Sequence, residues 1–283
     1  LVLLDENGRF KARLEGATSG NVLLRRAQHS QSLNPMFTLD FARACVAGKV
    51  RNSRQVLLRG ARDAKVDNDA AALTRGAQDL AATLRALPDA KDLDVLRGFE
   101  GEAARQYFER QPMLIKADLR SDLSMGGRTR RPPRDRMNAL LSFLYSMWMN
   151  DCRSALEAVG LDPQVGFLHV LRPGRAALAL DLMEEFRPFA DRLALSLVNR
   201  GQIRRDDFVV REGGGVSLTA DARKAVVVAF QERKQDEVQH PVLAQSLALG
   251  LVPLIQARLM ARAIRAETDV NGQIAGYLPF LVR

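Results

Sequence analysis

The spacing of hydrophobic residues changes near residue 20 from a strand-like pattern to a helical one. Two apolar runs, at residues 2–4 and 10–14, flank Asp5-Glu6-Asn7-Gly8, and Asn-Gly is a strong signal for a tight hairpin turn. From Asn21 onward apolar residues recur at intervals of three and four. One such stripe consists of Leu73, Ala77, Leu80, Leu84 and Leu87. We therefore predict a hairpin in about the first fifteen residues, followed by a mainly helical chain.

Proline, glycine and capping residues predict where these helices begin and end. Pro88 closes the helix of the leucine stripe, and the next helix begins near residues 92–96. Thr219 is a predicted N-cap for a helix that ends at residue 235. Further helices are predicted at residues 137–159, at 178–199 with a bend or interruption at Pro188, and at 252–266. Around Gly213-Gly214-Gly215 we predict a small hairpin, and the ending GYLPFLVR is expected to be extended.

The composition indicates a protein that lies in a reducing compartment. The opening LVLLDENGRF has no basic segment and no long apolar run, so it is not a signal peptide. We expect it to come from the middle of a longer protein. The longest uncharged stretch, residues 238–257, contains Pro241, Pro253 and glutamines, which disfavours a membrane span. Cys45 and Cys152 lie in apolar helical stretches, where buried free thiols are expected. A soluble, cytoplasmic chain is therefore predicted.

The charge balance favours a phosphate-rich partner. The formal net charge is +9, from 42 Lys and Arg against 33 Asp and Glu; a basic but merely soluble protein would show the same excess. Residues 125–136 form a predicted exposed loop with one acid and five arginines, namely Arg128, Arg130, Arg131, Arg134 and Arg136. Such a loop suits a nucleic-acid backbone, or alternatively a protein partner. No nucleotide-binding glycine loop is present, which disfavours a stand-alone metabolic enzyme.

Candidate metal chemistry lies in the second half of the chain. Asp181 and Glu184 are three residues apart on a predicted helix, so both carboxylates can point at one cation. Alternatively, acids in a first helical turn only complement the helix dipole. His169 ends an apolar run twelve residues earlier and can lie beside them, or it is a structural hydrogen-bonding residue. One imidazole with carboxylate oxygens suits Mn²⁺ or Mg²⁺ better than a structural zinc site.

Glu100 is unusual because Gly98 and Gly101 flank it in a helix-like stretch. Glycine costs a helix about 1 kcal/mol relative to alanine. Glycines retained at that cost suggest the close approach of another backbone or of a ligand.

Several segments together resemble one known family. They are GNVLLRRAQ, RGFEGEAARQYF, RPPRDRMNALLSFLYS, EAVGLDPQVGFLH, RPGRAALALDLMEEFRP and YLPFLVR, and they follow one another in the family's order. They resemble the CRISPR-associated spacer-acquisition integrase, CRISPR-associated protein one, and most closely its type I version. The resemblance covers essentially the whole chain.

The resemblance implies a mainly α fold, with a large helical catalytic domain preceded by a short β remnant and carrying one small internal β-hairpin. Residues 1–20 would be the remnant of the N-terminal β domain with its linker, and residues 21–283 the helical catalytic domain. It also implies a DNA endonuclease and integrase that depends on Mn²⁺ or Mg²⁺. Such an enzyme inserts spacer precursors, as double-stranded DNA, into a repeat array. Its expected partners are a second copy of the chain, in a homodimer, and a small companion adaptation protein.

The family's motif residues carry over to named positions. The Glu of RGFEG becomes Glu100 and the His of GFLH becomes His169, both as metal ligands. The acids of LALDLMEE become Asp181 and Glu184; Glu184 is expected to bind the ion directly, Asp181 to support it, and Glu185 to point away. With so few ligands, one ion per subunit is expected. Three departures stand out, namely the apolar Val170-Leu171 after His169, Ala177 in place of a hydroxyl residue, and Glu184 where some relatives use Asp.

The positions of the arginines in the sequence suggest roles for them as a hypothesis. Arg172 and Arg175, just after His169, are candidates to hold the scissile phosphate. Candidates for the flanking DNA backbone are Arg25, Arg26, Arg128, Arg130, Arg131 and Arg134. Two rival functions stay open: a nuclease outside spacer acquisition that uses water as its nucleophile, and a shortened, non-catalytic DNA-binding form.

Overall fold

The computed structural model describes residues 2–5, 10–14, 21–129, 131–268 and 275–281. Its helices are α1 Val22–Ser32, α2 Pro35–Asp63, α3 Asp67–Ala86, α4 Leu93–Arg110, α5 Arg120–Leu123, α6 Arg136–Val159, α7 Ala177–Met183, α8 Arg187–Asn199, α9 Ala220–Gln235 and α10 Val252–Ile264. Its strands are β1 Val2–Leu4, β2 Phe10–Arg13, β3 Phe208–Val210, β4 Val216–Leu218, β5 Glu237–His240 and β6 Gln245–Ala248. The prediction of a mainly α fold is confirmed. Of the described helices, none is long and apolar enough to cross a membrane.

Strands in the described part of the chain form antiparallel hairpins. The predicted pairs are present: β1 with β2, where Val2 lies opposite Arg13, and β3 with β4. A further hairpin, β5 with β6, was not predicted, so the expectation of one internal hairpin is wrong. Its turn contains Pro241 and no glycine or asparagine, and therefore carries no hairpin signal in the sequence. Tertiary packing fixes it instead, because the buried ring of His240 contacts Gln256 of α10.

Pro188 determines how the chain passes from α7 to α8. A single helix over residues 178–199 would need residue 188 to donate a hydrogen bond to the carbonyl of Glu184, which proline cannot do. Its ring would also clash with that carbonyl. The structure ends α7 at Met183, inserts a 3-10 turn over Glu184–Phe186, and starts α8 at Arg187. The predicted interruption is confirmed, and it places Glu184 at a junction between two helices.

The core is built around α2 and α6. Helix α2 packs against α3, α4 and the Glu184–Phe186 turn, while α6 packs against α7, α8 and α10. The indole of Trp148 stacks on Phe186 and meets Phe230 edge-on. Cys45 and Cys152 are buried and free, as expected.

The segment of residues 275–281 lies against the back of the Glu184–Phe186 turn. Glu185 accepts hydrogen bonds there from the amide of Phe280, at 2.7 Å, and from the hydroxyl of Tyr277, at 2.9 Å. Burial raises the pKa of Glu185 to about 8, although these donors and Gln256 oppose the shift. Asn52 of α2 donates to the carbonyls of both Glu185 and Phe280. Glu185 therefore anchors the C-terminal segment and points away from Glu184's partners, as expected.

A second buried carboxyl joins α4, α6 and α8. Asp191 accepts hydrogen bonds from the hydroxyl groups of Tyr107, at 3.0 Å, and Tyr145, at 2.6 Å. Burial raises the pKa of Asp191 from 3.8 to about 6, and the two tyrosine hydrogen bonds offset only part of this effect. The protonated form is thus favoured by folding, since the folded protein holds this proton more tightly than the unfolded chain does.

We predict that this carboxyl makes the free energy of unfolding depend on pH. Its contribution is present below pH ~4 and is lost as the pH rises through about 6. In Asp191→Asn the side chain is neutral at every pH. The free energy of unfolding, measured with urea, should therefore fall less between pH 4 and 7 in this variant than in the wild type. Asp118→Asn, which changes an exposed carboxyl, serves as the control and should follow the wild type. Parallel wild-type and Asp191→Asn profiles would contradict the assignment.

Candidate active site

Glu184 is a buried carboxylate surrounded by cations. Only 2% of the residue is exposed. Arg187, one turn further along, donates from Nε to Glu184 Oε1 at 2.8 Å, and the ammonium of Lys49 lies 2.8 Å from Oε2. Burial by itself would raise the pKa of Glu184, but Arg187, Lys49 and His169 hold it well below its ordinary value. Glu184 is therefore ionised in the folded protein, and it depends on neighbouring positive charge.

Lys49 joins Glu184 to the second predicted ligand. Its Nζ also pairs with Glu100 Oε1, so that one ammonium lies between the carboxylates of Glu100 and Glu184. Glu100 projects from α4 and is the more open of the two, with 27% of its side chain exposed against 3% for Glu184. The structure thus brings Glu100 and Glu184, far apart in sequence, to a common cation.

Asp181 organises the loop that carries His169. Its Oδ2 accepts hydrogen bonds from the amides of Phe167, at 2.6 Å, and Leu168, at 3.1 Å. Its Oδ1 accepts from the amide of His169, at 3.0 Å, and lies 2.6 Å from the same residue's Nδ1. Both oxygens are therefore engaged with the loop, which makes Asp181 a positioning residue.

The contact with Asp181 also determines the tautomer of His169. A carboxylate can only accept, so Nδ1 must carry the proton in this hydrogen bond. Nε2 is on the other edge of the ring, 3.7 Å from Glu184 Oε1, and carries a lone pair whenever the imidazole is neutral. Metal-binding histidines are commonly oriented in this way, by a carboxylate on the other ring nitrogen.

Contacts from two further helices hold the loop before His169. Arg97, one turn before Glu100 on α4, donates through Nε and Nη2 to the carbonyl of Leu168. Gln28 of α1 donates to the carbonyls of Asp162 and Val165, both at 2.8 Å. Helix α4 therefore supplies Glu100 directly and also fixes the position of His169 through Arg97.

Gly166 allows the loop to approach α7 closely. A β-carbon at this position would lie 2.6 Å from the carbonyl carbon of Ala177 and 2.7 Å from Asp181 Oδ2. Gly98 and Gly101 behave differently, since among the described residues a β-carbon there would meet no atom within 4 Å beyond its own helix backbone and chain neighbours. The idea that another backbone approaches these two glycines is wrong, and the space beside Glu100 is open.

The donor set fits a divalent metal such as Mn²⁺ or Mg²⁺. The carboxylates of Glu100 and Glu184 both contact the Lys49 ammonium, and His169 Nε2 lies 3.7 Å from Glu184 Oε1. Carboxylate oxygens with one imidazole nitrogen suit such ions better than they suit a structural zinc ion. Within the described ranges, no three His, Cys, Asp or Glu side chains are grouped closely enough to hold an ion as they stand. The positive charge between Glu100 and Glu184 is supplied by Lys49 instead.

Arginines surround the open side of the His169 loop. Arg172 is exposed and Arg175 half-buried. Burial lowers the pKa of Arg175, and the neighbouring charges of Arg172, Arg131 and Arg97 lower it further, while Asp181 opposes the shift. Three arginines thus lie close enough to Arg175 for their charge to act on it, and an anion bound there would offset this repulsion.

The remaining predicted DNA-binding arginines have different surroundings. Arg26 and Arg131 are exposed, Arg25 is half-buried, and Arg130 lies outside the described residues. Arg134 is exposed and donates to the carbonyl of Gly213 at 2.7 Å. Arg128 points inward, where it donates to Asn138 and lies over the ring of Tyr145, with its guanidinium carbon 5.2 Å from the ring centroid. The guanidinium groups of Arg128 and Arg134 are therefore both used in contacts within the protein.

Sequence reasoning missed the contributions of Lys49, Arg97, Gly166 and Arg187. For Arg187 a signal existed, because it follows Glu184 by three residues and so shares its helix face. Lys49 lies in a stretch of α2 where its neighbours Gly48 and Val50 are buried, and a charged residue in such a place needs a partner. The partner itself could not be read from the sequence, since Glu100 and Glu184 lie 51 and 135 positions away.

Comparisons with known proteins show which family the chain belongs to. Residues 1–232 match the family model described as CRISPR associated protein Cas1. A curated relative from Moorella thermoacetica, "CRISPR-associated endonuclease Cas1 1", is 54% identical over 284 residues, which cover 100% of this chain and 81% of that protein. The chain therefore belongs to the Cas1 family.

Solved structures show the same fold. A chain of a "Cas6-RT-Cas1--Cas2 complex" is similar to this protein with a TM-score of 0.79 and 25% identity, over 98% of this chain and 29% of that one. A "Casposase bound to integration product" has a TM-score of 0.80 at 23% identity, over 95% of this chain and 72% of that one. At 23% identity, the similarity to the casposase shows the fold alone.

We predict that Gly166→Ala disrupts the His169 loop. The added methyl group cannot fit between the loop and α7 without moving the hydrogen bonds to Asp181, and such overpacking typically costs roughly 1–3 kcal/mol. Urea denaturation should show that loss, and amide hydrogen exchange at Phe167, Leu168 and His169 should accelerate. Gly126→Ala, where a β-carbon meets nothing within 4 Å, is the control and should change neither. Unchanged exchange in Gly166→Ala would refute the proposed fit.

Proposed function

We propose that this protein is a divalent-metal-dependent DNA endonuclease and integrase of CRISPR adaptation. Membership of the Cas1 family supports the general activity. One observation supports the assignment of this activity to particular residues. Glu100 and Glu184 both contact the ammonium of Lys49, and His169 Nε2 lies close to Glu184. In this proposal the enzyme inserts spacer DNA into a repeat array by attack of a 3′-hydroxyl on a phosphodiester.

Glu100, Glu184 and His169 Nε2 would hold the Mn²⁺ or Mg²⁺ ion. When bound, such an ion lowers the pKa of the attacking hydroxyl and neutralises charge on the phosphate. Asp181 holds the imidazole in the tautomer that leaves Nε2 free, and Arg97 fixes the backbone just before it. The 2.8 Å contact with Arg187 orients the Glu184 carboxylate.

Arg172 and Arg175 would bind the scissile phosphate. They follow His169 by three and six residues, and the charge of Arg172 is one of those that lower the pKa of Arg175. A phosphate bound among them would relieve this repulsion and would be positioned beside the imidazole. In the reaction, the attacking 3′-hydroxyl gives up its proton and its oxygen forms a bond to phosphorus. The bond between phosphorus and the 3′ oxygen of the repeat strand breaks, and that oxygen takes up a proton.

Double-stranded DNA, a second copy of the chain and a small companion adaptation protein are the proposed partners. The formal net charge of +9 supports double-stranded DNA as a partner. A chain similar to this one occurs in a "Cas6-RT-Cas1--Cas2 complex", which supports the companion adaptation protein as a partner. The homodimer and the division into residues 1–20 and 21–283 stay predictions.

We predict that Glu100→Ala and His169→Ala each abolish strand transfer, with losses of at least about 100-fold because a proposed metal ligand is removed. DNA retention should stay largely intact, since the surrounding arginines are unchanged. The substrate is a supercoiled plasmid that carries a repeat array, offered with a short duplex in Mn²⁺, Mg²⁺ or chelator. Glu102→Ala is the matched control, because Glu102 lies on the same helix and is exposed, paired with Arg105.

The possible outcomes separate the proposal from its rivals. Metal-dependent hydrolysis without insertion would indicate a nuclease outside adaptation. DNA binding with no metal-dependent chemistry would indicate a non-catalytic form. Full strand transfer by both variants would contradict the assigned site.

We predict that the double variant Arg172→Ala, Arg175→Ala binds DNA with a weaker dependence on salt. Loss of two phosphate contacts should reduce the slope of log affinity against log salt concentration by about 2. Fluorescence anisotropy with a labelled duplex measures this slope. Arg265→Ala, which removes an arginine paired with Glu267, should leave it unchanged. An unaltered slope in the double variant would remove these two arginines from the DNA site.

A further inference from the structure

Lys49 occupies the place in the site where a positive charge is required. Its ammonium pairs with both Glu100 and Glu184, and only 12% of its side chain is exposed. In the metal-free chain the charges of Lys49 and Arg187 balance those of the two carboxylates. Without Lys49, two carboxylates would face each other, one of them buried, with Arg187 contacting only one.

The backbone that carries Lys49 is held firmly. A β-carbon on the preceding Gly48 would lie 2.7 Å from Pro279, so α2 and residues 275–281 are in close contact at this point. Three residues after Lys49, Asn52 donates to the carbonyls of Glu185 and Phe280 at 2.9 Å. Helix α2 is therefore fixed against the turn that contains Glu184, and only the flexible side chain of Lys49 can move.

A place exists for that movement. The four-carbon stem of lysine is flexible, and the site is open beside Glu100, whose side chain is 27% exposed. A divalent ion near Glu100 and Glu184 would repel an ammonium a few ångströms away. The ion and the ammonium would also compete for the same carboxylate oxygens.

We propose that Lys49 is a built-in counter-ion, which holds Glu100 and Glu184 together in the metal-free protein and gives way to the divalent ion on binding. This inference rests on the proposed function, because it takes Glu100 and Glu184 as metal ligands. It predicts opposite effects of one substitution. Without the ammonium, the metal-free protein is less stable, whereas the metal binds more tightly because nothing has to be displaced.

The test uses Lys49→Met and Lys49→Gln in the full chain, with Lys234→Met as the matched control. Lys234 forms a comparable ion pair with Asp151, at 2.7 Å, and 19% of its side chain is exposed. Electron paramagnetic resonance of free Mn²⁺ gives the affinity, and thermal unfolding is followed in chelator and in Mn²⁺. We expect both Lys49 variants to bind Mn²⁺ about tenfold more tightly than the wild type. In chelator both Lys49 variants should unfold at a lower temperature than the wild type, and Mn²⁺ should raise their unfolding temperature by more. Lys234→Met should bind Mn²⁺ as the wild type does.

Failure of this inference can be distinguished from failure of the proposed function. Equal or weaker Mn²⁺ binding by both Lys49 variants, with normal binding by the wild type, overturns the role of Lys49 and leaves the metal site intact. If Glu184→Ala binds Mn²⁺ as the wild type does, the metal site itself is refuted. Circular dichroism monitors folding. A failure of both Lys49 variants to fold even in Mn²⁺ also overturns the inference, because the ion is expected to replace the ammonium.

Discussion

The buried charge of Glu184 is the constraint on which the site depends. A carboxylate that is 2% exposed is costly to bury unless cations and hydrogen bonds compensate it. Arg187 of α8 and Lys49 of α2 supply that compensation, and Lys49 extends the network to Glu100 of α4. One buried carboxylate thus fixes how three helices meet. The same requirement for positive charge makes the place attractive to a divalent ion.

The second organising element is Asp181, whose oxygens accept three backbone amides and face the imidazole of His169. Because Pro188 ends the α7 hydrogen-bond pattern at Glu184, Asp181 and Glu184 occupy different local structures although they are three residues apart. Asp181 is directed at the loop, while Glu184 is directed at the cations. The two acids therefore have different partners, the loop amides for Asp181 and the cations Arg187 and Lys49 for Glu184.

Local signals in the sequence were enough to predict most of the fold. Thr219 caps α9, Pro88 ends α3, and Pro188 interrupts the acidic helix because these effects act within one or two turns. The β5–β6 hairpin was missed because tertiary contacts of His240 stabilise it, not its turn residues. Likewise, family motifs indicated the acids and the histidine, but the pairing of Lys49 with both carboxylates depends on the packing of α2 against two distant segments. A local sequence pattern cannot predict a contact between residues so far apart in the chain.

The most direct test of the account is the position of Mn²⁺ in crystals of the protein with bound DNA, located by anomalous diffraction. The account predicts one ion bonded to Glu100, Glu184 and His169 Nε2, with Asp181 still bound to the loop amides and the Lys49 ammonium displaced from between the carboxylates. An ion bound by Asp181 in place of Glu184, or a fully occupied ion site elsewhere with Lys49 unmoved, would contradict it.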